Sequence, residues 1–309
     1  MADPTETALH PQLTRRLLRQ LSEGRSINLI GRPAQGSQRV LDDIHRAAPG
    51  GVTCLRTNCH DYRMSHHRLI DSLWQQAKAN GCASSSRRVP DTLGELAAKL
   101  HGAQAVWLTL ERLDTLIGEV ERDDRYNCNF FRDELNALRN TPNIVLITQT
   151  ARAHDQYSIL CDTEDRMLSP PDLQKEPIPR LREPEIRTEL ARRKPGMDSG
   201  DTLTIAEAIE RHIRIHAPLG FDSGYGLLEH IARQIELGGE VRGLRGWVRE
   251  YEDILDCLNM GNINRARRGL KYRLRWLAIS IVDLLKELSL LRKAVDTFRR
   301  LVKGRKGMP

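Results

Sequence analysis

Hydrophobic positions change their period part-way along the chain. Leu13, Leu17, Leu18 and Leu21 recur at helical spacing and predict a helix over 11–22, ended by Gly24. A short apolar run over 26–30 then predicts a strand that runs directly into Gly31. Next come a helix over 40–46, a strand over 52–56 and a helix over 65–79 carrying Leu69, Ile70, Leu73 and Trp74. Asp91 or Thr92 opens a further helix that reaches about residue 100. Residues 105–110 are apolar throughout except for Thr109, the pattern of a parallel strand buried on both faces. A helix over 130–139 is broken at Pro142, and 143–148 predicts a fourth strand. Pro177-Ile178-Pro179 reads as a poor or edge strand, because proline cannot donate to a ladder. Pro184 then opens a helix over 185–193 at its first turn.

From Thr202 onward the pattern is helical: 205–216, 227–237, 243–260 and 262–291, with a last turn or two to 303. Strands that alternate with helices imply an α/β domain built on a parallel sheet. Helices that run alone imply a lid and an extension. The expected divisions are an α/β core over 1–182, a helical lid over 183–240 and a basic helical extension over 241–309. No internal repeat is present.

Composition narrows the class. Aromatic residues make up 5% of the chain, which suits a helix-rich protein better than an all-β one. The stretch from Met1 to Leu21 carries Asp3, Glu6, Arg15 and Arg16 and has no apolar core, so it does not resemble a secretory signal. The most apolar region, 277–291, is interrupted by Asp283, Lys286 and Glu287 and is unsuited to spanning a membrane. The expectation is a soluble, cytoplasmic protein without a membrane span. The six cysteines are scattered with no CxxC pair, which fits free thiols. Cys59-His60 with His66-His67 matches no common zinc spacing. His212 and His216 lie at i, i+4 on a helix, but no third ligand is evident, and they are expected at a surface or an interface.

Charge is unevenly spread. Net charge is +7, yet 262–309 alone carries 14 Lys/Arg against three acids, so the rest of the chain is net acidic. Arg265, Arg267, Arg268, Lys271, Arg273 and Arg275 crowd the start of this tail, and Trp276, Leu277, Ile281, Leu284, Leu285 and Leu288 follow at helical spacing. A solvated basic face on a packed helix accounts for the pattern. So does a nucleic-acid backbone site, which would be salt-sensitive and weakly sequence-specific. An anionic membrane surface or an acidic protein remains a further alternative.

The chemistry-bearing residues cluster at strand ends. The first strand leads into Gly31-Arg-Pro-Ala-Gln-Gly36-Ser37-Gln38, followed by a helix. A phosphate-binding P-loop reads G-x-x-x-x-G-K-[ST] in that setting, its backbone wrapping phosphates at a helix N-terminus. Here Ser37 stands at the lysine position and Gln38 at the position of the hydroxyl that holds Mg²⁺. The loop retains amides for an anion but lacks the charge that grips β- and γ-phosphates. Arg32 or Arg39 is the available replacement. The third strand ends in Glu111-Arg112-Leu113-Asp114, the fourth in Thr148-Gln149-Thr150, and Ser223-Gly224-Tyr225-Gly226-Leu227-Leu228 leads into a later helix.

Taken in order, these segments resemble the AAA+/STAND-type P-loop ATPases over roughly residues 12–240. The resemblance implies Glu111 at the Mg²⁺-site position of a Walker B strand and Arg112 where an acid would polarise the attacking water. A cation there cannot act as a general base. It implies Thr148 as a polar sensor near the γ-phosphate, and Gly226 where the lid motif carries a proline. The segment from Pro179 to Glu185 resembles the passage from the last core strand into that lid. No motif is intact. The implied protein binds ATP or ADP weakly or not at all, does without Mg²⁺ and turns over little or no ATP. It would serve as a regulatory or assembly subunit that engages nucleic acid, a partner ATPase or copies of itself. The alternatives are an atypical ATPase using an arginine in place of the lysine, and a nucleic-acid-binding protein acting through its tail.

Overall fold

The computed structural model describes residues 5–32, 34–83, 88–100, 105–117, 122–126, 129–157, 159–160, 167–168, 171–216 and 223–259. The basic residues at 265, 267, 268, 271, 273 and 275, and the helices expected from 262 onward, lie outside them.

Five strands form one parallel sheet: β1 (Ile27–Ile30), β2 (Val52–Asn58), β3 (Ala105–Glu111), β4 (Ile144–Thr150) and β7 (Gln174–Pro177). Their order is β2-β3-β4-β1-β7. In register, Ile30 lies beside Thr150 on one side and Pro177 on the other, and Leu110 lies beside Thr148. A two-stranded antiparallel pair, β5 (Ile159–Leu160) with β6 (Met167–Leu168), was not expected from the polar stretch that contains it.

Strand alternation sorts the core into two layers. Ile27, Leu29, Trp107, Val145 and Ile147 face α1 (Pro11–Ser22) and α2 (Ser37–Arg46). Leu55, Val106, Leu108, Leu110 and Leu146 face the other way, onto α3 (His66–Ala79), α4 (Leu93–Lys99), a short α5 (Asp114–Ile117) and α6 (Asn129–Asn140). Both faces of β3 and β4 are covered, as their continuous apolar runs require.

Local signals set most boundaries. Pro11 opens α1, and Leu13, Leu17 and Leu21 are buried at its core face. The Thr92 hydroxyl accepts the Glu95 N–H at 2.9 Å, and the Glu95 carboxylate accepts the Asp91 N–H at 2.8 Å, so the start of α4 is satisfied in both directions. The last strand starts three residues earlier than Pro177-Ile178-Pro179 suggests. Its inward residue is Glu176, whose carboxylate accepts bonds from Arg16 at 2.8 Å and Gln20 at 2.9 Å. A buried, partnered acid leaves no apolar alternation to read.

Four helices follow: α7 (Glu183–Arg193), α8 (Ser199–His216), α9 (Gly224–Glu236) and α10 (Leu244–Asn259). Ile186, Leu190, Ile205, Ile209, Leu227 and Ile231 join the core layer on the α1–α2 side of the sheet. His212 and His216 correct an expectation: they are buried at 2% and 6% exposure. Both face Glu252 of α10, an approach that spacing along α8 alone does not show.

Candidate functional site

The carboxyl ends of β1, β3 and β4 meet at one edge, and the strand-end motifs fall there. Gly31 leaves β1 with its N–H still bonded to the Thr150 carbonyl at 2.9 Å. The exposed Arg32 donates its N–H to the Gln35 side chain at 2.7 Å, a turn inside the loop. Gly36 precedes α2 with φ +84°, and a Cβ there would stand 2.9 Å from both Leu9 Cδ2 and Tyr225 Cγ. Glycine meets two demands at once, the left-handed backbone and the close approach of Tyr225. α2 starts without a side-chain cap, and a helix start of that kind can hold an anion through its amides and dipole. Ser37 is half-buried and Gln38 exposed, and neither brings a positive charge.

Arg39, the second replacement considered for the lysine, is committed elsewhere. It is 6% exposed and forms an ion pair with Asp43. It also donates to the Thr7 carbonyl at 3.0 Å and to Glu189 of α7 at 3.2 Å. Arg192 and Arg193 bind the same Glu189 carboxylate at 2.6 and 2.9 Å. Burial by itself would raise the Glu189 carboxyl, but the bonds from Arg192 and Arg193 and the charge of Arg39 outweigh it and hold it at about 2. Burial also pushes the Asp43 carboxyl up, and there it prevails over the Leu9 N–H and the nearby arginines. Arg39 therefore ties α2 to α7 and to the segment before α1. Glu189 lies 150 residues away in sequence, so no local motif reveals this use.

Glu111 ends β3 at 5% exposure. It is ion-paired with Arg56 of β2, and the same guanidinium pairs with Asp42 of α2. Sequence reasoning missed Arg56. The expected strand stopped at residue 56, whereas β2 continues to Asn58, opposite Glu111. Burial, with the Arg56 charge adding to it, lowers the nearby His45 to about 4, so that imidazole is neutral at physiological pH and meets Thr109 Oγ1 at 2.9 Å. Arg112 is exposed in a left-handed conformation, φ 51°.

Thr148 lies within β4, two residues short of its end, and is fully buried. Its hydroxyl meets Asn28 at 3.1 Å and His154 at 2.9 Å, on the α3–α6 face of the sheet. The side chain that reaches the loop is its neighbour. Gln149 donates to the Gly31 carbonyl at 2.9 Å and accepts the Arg112 N–H at 2.9 Å. The period-two alternation of a strand decides this, since residues 147 and 149 share the face on which α2 packs.

α9 packs against the loop. The Gly226 N–H donates to the Ala34 carbonyl at 3.0 Å. A Cβ on Gly226 would stand 2.7 Å from Ala34 Cβ and 2.1 Å from Tyr251 Oη. No proline ring fits there, which is the physical reason for glycine at that position. Tyr225 accepts a bond from Arg193 at 3.1 Å. The loop thus meets α9 through Tyr225 and Gly226.

No protein-family model matches the chain, and no curated protein sequence matches it. Solved structures do. A Walker-type ATPase of Pyrococcus abyssi is 14% identical with a TM-score of 0.52, over 84% of this chain and 75% of that one. The ORC2 protein of Aeropyrum pernix in its ADP form is 14% identical with a TM-score of 0.49, over 77% of this chain and 67% of that one. The chain shares the P-loop NTPase-like α/β fold of that Walker-type ATPase.

Glu189→Gln tests the buried charge network. With its carboxyl held at about 2, Glu189 contributes stability that is fully present above the ordinary carboxylate range and is lost as pH falls through about 2. The variant should be less stable than wild type by about 3 kcal/mol at pH 7, a gap that narrows below about pH 4.5. Urea unfolding at several pH values measures it. A gap independent of pH would contradict the assignment.

Proposed function

We propose that this chain is a catalytically degenerate AAA+/STAND ATPase-like protein that acts by binding, as a regulatory or assembly subunit. One observation carries the reading. The Walker B-like carboxylate, Glu111, is ion-paired with Arg56, which also holds Asp42. A fixed guanidinium therefore neutralises the carboxylate that a Mg²⁺ ion would need. The loop has Ser37 and Gln38 where phosphate-gripping lysine and metal-binding hydroxyl belong. Arg112 stands where a base would be required. Gly31, Gly36 and the uncapped start of α2 suit an anion held by amides alone, so ATP or ADP binds weakly and without Mg²⁺.

The partner is another subunit or a nucleic acid. The 14 Lys/Arg over 262–309 against three acids favour a phosphate backbone or an acidic partner surface. Gln149, which bonds to both Gly31 and Arg112, gives a route by which loop occupancy reaches the neighbouring turn.

Purified full-length protein should show no ATP turnover above background. Turnover that Glu111→Ala abolishes would overturn the proposal in favour of an atypical ATPase. Deleting 262–309 should remove salt-sensitive binding to a mixed-sequence DNA or RNA duplex. Unchanged binding would take the tail out of the account.

A further inference from the structure

We propose that His212, His216 and Glu252 form a site for one divalent transition-metal ion of the zinc class. The three residues come from two helices. His212 and His216 lie one turn apart on α8, with rings stacked at a centroid distance of 4.0 Å. Glu252 projects from α10. Its Oε1 lies 3.5 Å from His212 Nδ1 and 3.5 Å from His216 Nε2. The three donor atoms all lie within 4.8 Å of one another.

The spacing also suits a shared cation. With bonds of about 2.0–2.2 Å to nitrogen and oxygen, a tetrahedral metal holds its donors roughly 3.3–3.6 Å apart. Both Glu252 edges fall in that range. Two nitrogens and one carboxylate oxygen are a donor set for zinc and its neighbours rather than for calcium or magnesium.

The surroundings prepare the ligands. The second ring nitrogen of His212, Nε2, meets Ser223 Oγ at 2.9 Å, which fixes the ring and turns Nδ1 toward Glu252. Both histidines are buried, which shields the site from competing water. Three protein ligands leave a fourth position for a water.

Position gives the site a consequence. Tyr251, next to Glu252, donates to the Ser223 carbonyl at 3.4 Å and presses on Gly226, whose N–H holds Ala34 of the phosphate-type loop. A metal here clamps α10 to α8 beside the turn that touches that loop. The inference stands apart from nucleotide binding, since none of its ligands belongs to the loop.

Full-length protein stripped with a chelator is titrated with Zn²⁺ against a chromophoric competitor, and separately with Co²⁺. Wild type should bind one equivalent at micromolar or tighter affinity, and the Co²⁺ form should show the visible absorption of tetrahedral coordination. Glu252→Gln and His216→Gln should each weaken Zn²⁺ binding at least tenfold and abolish that absorption. Zn²⁺ should raise the thermal midpoint of wild type and leave that of Glu252→Gln unmoved. Glu252 is 28% exposed, so its substitution spares the core. Wild-type affinity retained in both variants would place the metal elsewhere, on the cysteines or the other histidines, and would overturn the proposal. So would the absence of binding to wild type, which would leave the cluster as a histidine–glutamate ion pair.

Discussion

β1 lies between β4 and β7, and the candidate site takes its geometry from those two ladders. Ile30 sits beside Thr150 and Pro177, so the chain leaves the sheet at Gly31 with its N–H still held by β4 and with Ile178 continuing the ladder on the other side. That constraint aims the loop at the start of α2. It also puts Gln149 within reach of Gly31 and of the turn after β3. Moving β4 by one residue would turn Gln149 to the opposite face and leave the two turns without a connection.

Around this edge, arginines and carboxylates are arranged as ties. Arg39 joins Asp43 to Glu189, and Arg56 joins Asp42 to Glu111. Removing one partner of the buried Arg39, Asp43 and Glu189 set leaves an uncompensated charge and costs about 3–5 kcal/mol. Together the two arginines hold α2 to β2, β3 and α7.

Much of this was legible in the sequence. The helix at Pro11–Ser22 and the buried strands at 105 and 143 follow from apolar period alone, because packing on one or both faces leaves a direct trace in residue type. The loop between Gly31 and Gly36 was legible because a left-handed backbone needs glycine. Four features were hidden, each for a physical reason. Strand β7 carries a buried Glu176 in place of an apolar residue. Arg39 looked available because its partner Glu189 is remote in sequence. Thr148 was preferred to Gln149 because the resemblance implies a polar sensor there, and β4 is buried on both faces, so its alternation does not show which residue faces the loop. The burial of His212 and His216 depends on α10, and no pattern within α8 announces it.

The central claim is that the loop binds nucleotide, if at all, by amides and without metal. Calorimetric titration of full-length protein with ADP and ATP, with and without Mg²⁺, tests it most directly. The account predicts that Mg²⁺ leaves the affinity of each nucleotide unchanged within twofold. Tightening of ATP binding by tenfold or more on adding Mg²⁺, lost in Glu111→Gln, would contradict it and return Glu111 to the role of a metal ligand.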